Sequence, residues 1–283
     1  MEIRAAEIII LSTISCYLFG CSDFPSSHNK LNDTGISWGG NYPKDINKDC
    51  SGIVNRDQLF TGDQVAGDIL PQQDCNYGRD VTTNDGSDGA HGFVYRKIDQ
   101  AGQPLSADAD NWQCVLDEIS GLLWEAKQGG DGVYGNQGLH DADDVFTWYN
   151  TDIRTNGGNI GDWNNKYQQC AGYAEDRPET YCNSGEYVSR VNTQGWCGFT
   201  DWRMPTQAEL ASLVHFGRTV PAIDINYFPN TQNEFYWTNT PTAGIKTTAW
   251  AINFRFGYSA SVRHSNSRSV RLVRNWNTDT QSH

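Results

Sequence analysis

Six cysteines constrain this chain more than any other feature: Cys50, Cys75, Cys114, Cys170, Cys182 and Cys197. No two stand in C-x-x-C spacing, which argues against the common zinc modules. An even set in an exported chain is instead expected to form disulfides that staple loops together. The pairing is left open by the sequence.

Export is expected from the first residues, "MEIRAAEIIILSTISCYLFGC". Arg4 precedes an apolar run from Ile8 to Gly20. That run is too short to cross a bilayer and suits the apolar stretch of a signal peptide. It ends in Leu18-Phe19-Gly20-Cys21, which resembles a bacterial lipobox, with Phe19 bulkier than the usual residue. The reading is a signal peptide over 1–20, removed together with Cys16, and lipidation at Cys21. Ser22, not Asp, follows that cysteine, which favours the outer membrane of a Gram-negative cell. The mature protein would lie in the periplasm or on the surface, held to the membrane by its lipid anchor.

Residues 22–48 are polar and rich in Ser, Asn, Asp and Gly, as expected of a flexible tether starting at Cys21. From 49 to 111 turn signals dominate, among them "TGDQVAG" and "TTNDGSDGAHG", with short strand-like runs such as Gly92-Phe93-Val94-Tyr95. This span reads as an irregular, disulfide-stapled region. The signals sharpen from 112 to 275, and 276–283 reads as a tail.

Within 112–275, "WQCVLDEISGLLWEAK" predicts a hairpin turning at Asp117 to Ser120. "DADDVFTWYN" (141–150) predicts a helix capped by Asp141, "SGEYVSRVNTQG" (184–195) a helix closed by Gly195, and "TQAELASLVHF" (206–216) another. "FYWTNT", "TTAWAINFRF" and "RSVRLVRN" predict strands. The second of the last two helices carries the clearest start signal. Thr206 and Glu209 make a T-x-x-E capping box, and Pro205 precedes it where its missing N–H costs nothing. Leu210, Leu213 and Val214 form an apolar stripe behind it.

Just upstream stand Asp201, Trp202 and Arg203. The run "GWCGFTDWRMPTQAEL", with "GLLWEAK", "FTWYN", "PAIDINYFPNT", "AWAINFRFGY" and "SVRLVRN" in this order, resembles the DUF1566 family. That family is named for the C-terminal domain of Legionella collagen-like adhesins. The resemblance implies a C-type-lectin-like α+β fold, two helices on a small twisted antiparallel sheet with long loops. It also implies a structural role for the D-W-R element. Trp202 would anchor the core, while Asp201 and Arg203 brace the loop entering the helix. The same architecture serves formylglycine-generating enzymes, which use paired cysteines near the C-terminus. Here the last cysteine, Cys197, falls well before the final strands, a departure that argues against that chemistry.

Other chemistry is sparsely signalled. The six histidines show no H-E-x-x-H pattern, and no G-x-S-x-G elbow occurs. Gly130, Gly132 and Gly135 match G-x-G-x-x-G, but without a surrounding βαβ unit. No metal site and no cofactor are expected. Calcium is the one ion left open, at "HDADD" (140–144) and "NDGSDG" (84–89), neither with EF-hand spacing.

Charge points to the C-terminus. The chain carries −13 overall, yet from Pro241 onward Lys246, Arg255, Arg263, Arg268, Arg271 and Arg274 face one acid, Asp279. That segment is +5 and the rest −18. So acidic a body is not expected to bind nucleic acid, while a basic edge interleaved with aromatics suits an anionic polysaccharide or a protein. The candidate binding residues are Trp250, Arg255, Phe256, Tyr258, Arg263, His264, Arg268 and Arg271. The expected function is a non-enzymatic, adhesin-like envelope protein. The alternatives are an enzyme or maturation factor on the same fold, and a passive structural lipoprotein.

Overall fold

The computed structural model describes residues 33–36, 38–41, 46–49 and 92–276. Cys21, Cys50, Cys75, "NDGSDG" and the apolar N-terminal run lie outside these residues. Three antiparallel sheets and two α-helices are present among those described. The strands are β1 (Trp38–Asn41), β2 (Ile46–Asp49), β3 (Tyr95–Ile98), β4 (Cys114–Asp117), β5 (Leu122–Glu125), β6 (Phe235–Pro241), β7 (Thr248–Asn253), β8 (Tyr258–Arg263) and β9 (Val273–Asn275). The helices are α1 (Ser184–Gln194) and α2 (Gln207–Ala211). β1 and β2 pair antiparallel, nearly all of both strands falling in the span read as a tether, with Asp49 just past it. The central sheet runs β3-β4-β5-β9, and a second sheet runs β6-β7-β8. The α+β class holds, with the strands divided between sheets rather than gathered in one.

The central sheet is buried on both faces. On β4 and β5, Leu116 and Leu123 point into one apolar cluster with Trp148, Trp202 and Trp237. Val115, Leu122 and Trp124 point into another with Phe93, Leu210 and Phe254. A strand covered on both sides needs no polar alternation, which is why "CVL" and "LLW" read as unbroken apolar runs. β3 precedes the expected start at 112 but is the edge strand of this sheet, pairing Tyr95 with Asp117 and Ile98 with Cys114. Its neighbour hairpin turns as expected. Asp117 accepts from the amides of Ile119 and Ser120 at 3.0 and 3.2 Å, and Gly121 takes φ 66°.

α1 follows its sequence signals. Asn183 caps it by accepting from the Glu186 amide at 2.9 Å, and Gly195 ends it at φ 75°. α2 begins as predicted, with both arms of the Thr206–Glu209 capping box formed. It is shorter than 206–216. After Ala211 the amides of Leu213 and Val214 bond the carbonyls of Leu210 and Ala211, three residues back. The tightened turn still buries Leu210, Leu213 and Val214.

Residues 141–150 are not helical. Their amides bond four separate segments: Val145 to Gln169, Phe146 to Arg268, Thr147 to Cys182 and Trp148 to His264. Phe146 and Trp148 enter the core two residues apart, an extended-chain spacing. Asp141 accepts from the amides of Asp143 and Gln137 rather than capping a first turn. The segment "RSVRLVRN" is strand only at Val273–Asn275, and β8 was not anticipated. Close backbone approach fixes the loop after 150: a Cβ on Gly161, at φ 85°, would meet the Trp148 carbonyl oxygen at 2.2 Å.

Candidate functional site

The D-W-R element is built into the domain's frame. Trp202 is buried, and its indole donates to the Trp196 carbonyl at 3.0 Å. Asn192 on α1 accepts from the Trp202 amide at 2.7 Å and donates to its carbonyl at 2.8 Å. Asp201 receives Arg274 of β9 at 2.6 and 3.2 Å, and that guanidinium lies 3.6 Å over the Phe199 ring. Arg203 donates to both oxygens of Glu209, at 2.8 and 2.7 Å. Burial pushes the Glu209 carboxyl up, but the hydrogen bonds from Arg203 and Thr206 outweigh it and hold the pKa below the ordinary value. All three side chains therefore serve internal contacts.

A second polar centre lies where β5 meets α1, and sequence reading missed it. Glu125 is fully buried. One carboxylate oxygen receives His140 Nδ1 at 2.8 Å, Lys127 Nζ at 3.0 Å and the Tyr187 hydroxyl. The other accepts from the Leu272 amide at 2.9 Å. Burial raises the Glu125 pKa, and Lys127 and His140 more than reverse that, holding it far below the usual carboxylate range. Burial pulls Lys127 and His140 down. Beside them Arg271, also fully buried, donates to the Glu125 carbonyl at 2.7 Å and to Thr231 Oγ1 at 2.8 Å, 4.7 Å over the Phe228 ring. The available signal was the charged pair in "WEAK", ending an apolar strand.

The eight candidate binding residues do not form one surface. Arg271 is withdrawn from the set, because a fully buried guanidinium committed to internal acceptors meets no ligand. His264 is withdrawn as well: it is buried, stacked on Trp148 with ring centroids 4.2 Å apart. Arg268 is half-buried, 5.6 Å over the Phe235 ring, and its backbone pairs with Phe146. Strand alternation separates the others. Trp250 pairs with Ser261 and Thr248 with Arg263, so Trp250, Ser261 and Arg263 share one face of β7–β8. Tyr258 lies on the opposite face, edge-on to Phe235 at 5.7 Å. Arg255 and Phe256 stand in the turn between the strands, with the guanidinium 5.1 Å from the ring.

Two clefts open elsewhere, each of about 400 Å³. One is lined by Tyr149, Asp152, Gly185, Arg203 and Asn239, the other by Asp110, Trp112, Gln128 and Asn230. Among the described residues no group of three His, Cys, Asp or Glu is placed to hold a metal ion. In "HDADD", Asp144 accepts from the amides of Gly135 and Ala171 at 2.7 and 2.8 Å. The four described cysteines form two disulfides, Cys114–Cys197 and Cys170–Cys182. No helix among the described residues is long and apolar enough to cross a membrane.

These features define a disulfide-stapled α+β domain whose D-W-R element and Glu125 centre serve its own frame. A family model described as the Lcl C-terminal domain matches residues 113–274, more than half of the chain. The chain belongs to that family. Comparison with curated proteins and with solved structures gives no match.

Proposed function

We propose that this chain is a non-enzymatic, lipid-anchored envelope protein whose C-type-lectin-like domain binds an anionic polysaccharide in an adhesin-like role. The observation that carries the reading is the face of β7–β8 bearing Trp250, Ser261 and Arg263. Trp250 and Arg263 are diagonal cross-strand neighbours, a separation within reach of one saccharide unit. Trp250 is half-buried, and Arg263 is exposed with no carboxylate partner among the described residues. An indole face stacks on a sugar ring, and a guanidinium pairs in bidentate fashion with carboxylate or sulfate. Membership of the Lcl C-terminal family supports the adhesin-like role. The bridging of all four described cysteines supports a binding module over a thiol enzyme.

Heparin chromatography and a glycan array of the mature protein test this reading. Salt-sensitive retention is expected, weakened about tenfold by Trp250→Ala and by Arg263→Ala. Absence of retention, or retention that both variants leave unchanged, overturns it.

A further inference from the structure

We infer that the end of the second sheet, formed by Phe216, Val220 and Phe256 with Arg218 and Arg255, rests on the anionic phospholipid surface that holds the anchor. This rests on the proposed acylation of Cys21.

The three apolar side chains are conspicuously open: Phe216 is 57% exposed, Val220 51% and Phe256 54%. They belong to one patch. The Val220 amide donates to the Arg255 carbonyl at 2.9 Å, which lays the 216–221 loop along the β7–β8 turn. A Cβ on Gly257, next to Phe256, would stand 3.7 Å from a ring carbon of Phe216. Arg218 is half-buried and Arg255 exposed, and neither has a carboxylate partner among the described residues. Aromatic and aliphatic side chains rimmed by arginine suit the boundary between acyl chains and anionic headgroups.

Chain geometry selects a membrane over other occupants. The N-terminal segment enters the domain at this patch. The Thr34 carbonyl accepts from the Phe216 amide at 2.8 Å, and Gly35 sits against the His215 ring so tightly that a Cβ there would meet Nδ1 at 2.6 Å. Asp33 lies twelve residue steps along the chain from Cys21. Fully extended they reach about 40 Å at most. An acyl chain on Cys21 therefore holds this end of the domain near the bilayer. The chain as a whole, at −13, is repelled by anionic lipid, so the patch alone binds weakly. Tethering makes its contact effectively intramolecular, at millimolar local concentration. The opposite end of β7–β8, with Arg263, is then turned outward.

The experiment uses the full acylated protein in vesicles of phosphatidylethanolamine and phosphatidylglycerol, with mass spectrometry at Cys21 and hydrogen exchange over the domain. The reference is the mature Cys21→Ser chain without vesicles. At least tenfold slower exchange is expected at 214–220 and 254–258, reversed by the triple variant Phe216→Ser, Val220→Ser, Phe256→Ser. A urea titration of that variant checks that it folds. An acylated protein with unchanged exchange overturns this inference and leaves the anchor standing. A chain not acylated at Cys21 overturns the anchor, and this inference with it. Protection that appears without vesicles and rises with protein concentration identifies a second copy as the occupant and also overturns it.

Discussion

Arg203 and Glu209 are joined by two hydrogen bonds, 2.8 and 2.7 Å long, and the same Glu209 carboxylate accepts from the Thr206 amide at 2.7 Å. A single side chain thus closes the helix cap and fixes the arginine whose backbone pairs with Val273 of β9. Glu209→Ala removes the cap's return arm and an ion pair of which the arginine is over a third exposed. A destabilisation of about 1–2 kcal/mol is expected in urea denaturation, mostly from the cap, because a pair this open contributes little. Thr206→Ala should cost about 1 kcal/mol. Neither should alter polysaccharide retention, since both act on the frame.

The Glu125 centre is expected to be far more sensitive. Glu125→Gln preserves shape but leaves Lys127 and Arg271 buried without their counter-charge. Removing one partner of a buried ionic cluster costs about 3–5 kcal/mol. A midpoint shift of that size is expected in thermal or urea unfolding, larger than for Glu209→Ala or Thr206→Ala. Lys127→Met, made in the Glu125→Gln background, should recover part of the loss, because it removes an uncompensated buried charge.

These two centres differ in how far the sequence disclosed them. The capping box is local: its partners lie three residues apart, and its geometry follows from residue type. So does the end of α1 at Gly195. The partner of Asp201 is Arg274, and beyond the nearby Lys127 the partners of Glu125 come from the 140 loop, α1 and Leu272 just before β9, contacts that only the assembled fold creates. The helix expected over 141–150 failed for the same reason. Its capping-like Asp141 was overridden by backbone pairing with four distant segments. The basic C-terminal edge was legible as composition but not as a surface. Burial places Arg271 in the core, strand alternation puts Arg263 and Tyr258 on opposite faces of β7–β8, and Arg255 stands in the turn.

Acid sensitivity follows from the buried histidines. Burial lowers the pKa values of His140 and His264 below the ordinary 6.5. The unfolded chain then binds protons that the folded one refuses, so stability is complete above about pH 6.5 and falls as the pH drops through that value. Asp144 acts in the opposite sense. Burial raises its carboxyl from 3.8 to about 6 despite the amides it accepts from. Its contribution is favourable below pH 4 and lost between pH 4 and 6, amounting to at most about 3 kcal/mol. Asp144→Asn removes that opposing term. Urea midpoints taken from pH 7 to pH 4 should therefore fall more steeply in the variant than in the parent. Parallel curves would show that Asp144 ionises normally in the fold.

The two disulfides should separate by the length of chain they close. Cys114–Cys197 spans 83 residues and ties β4 to the turn before the D-W-R element, while Cys170–Cys182 spans 12 within one loop region. On the chain-entropy account the longer closure contributes about 4.5 kcal/mol and the shorter about 3 kcal/mol. Paired substitutions to serine, made separately, should lower stability in that order. The local pair has a further signature. Arg190 on α1 reaches the Ala171 carbonyl at 2.5 Å beside Cys170, so opening Cys170–Cys182 should loosen the 165–182 segment first. Hydrogen exchange of the Cys170→Ser, Cys182→Ser variant should rise there while β4 and β5 stay protected. Uniform loss of protection across the central sheet would instead make the short loop part of the same cooperative unit as the core.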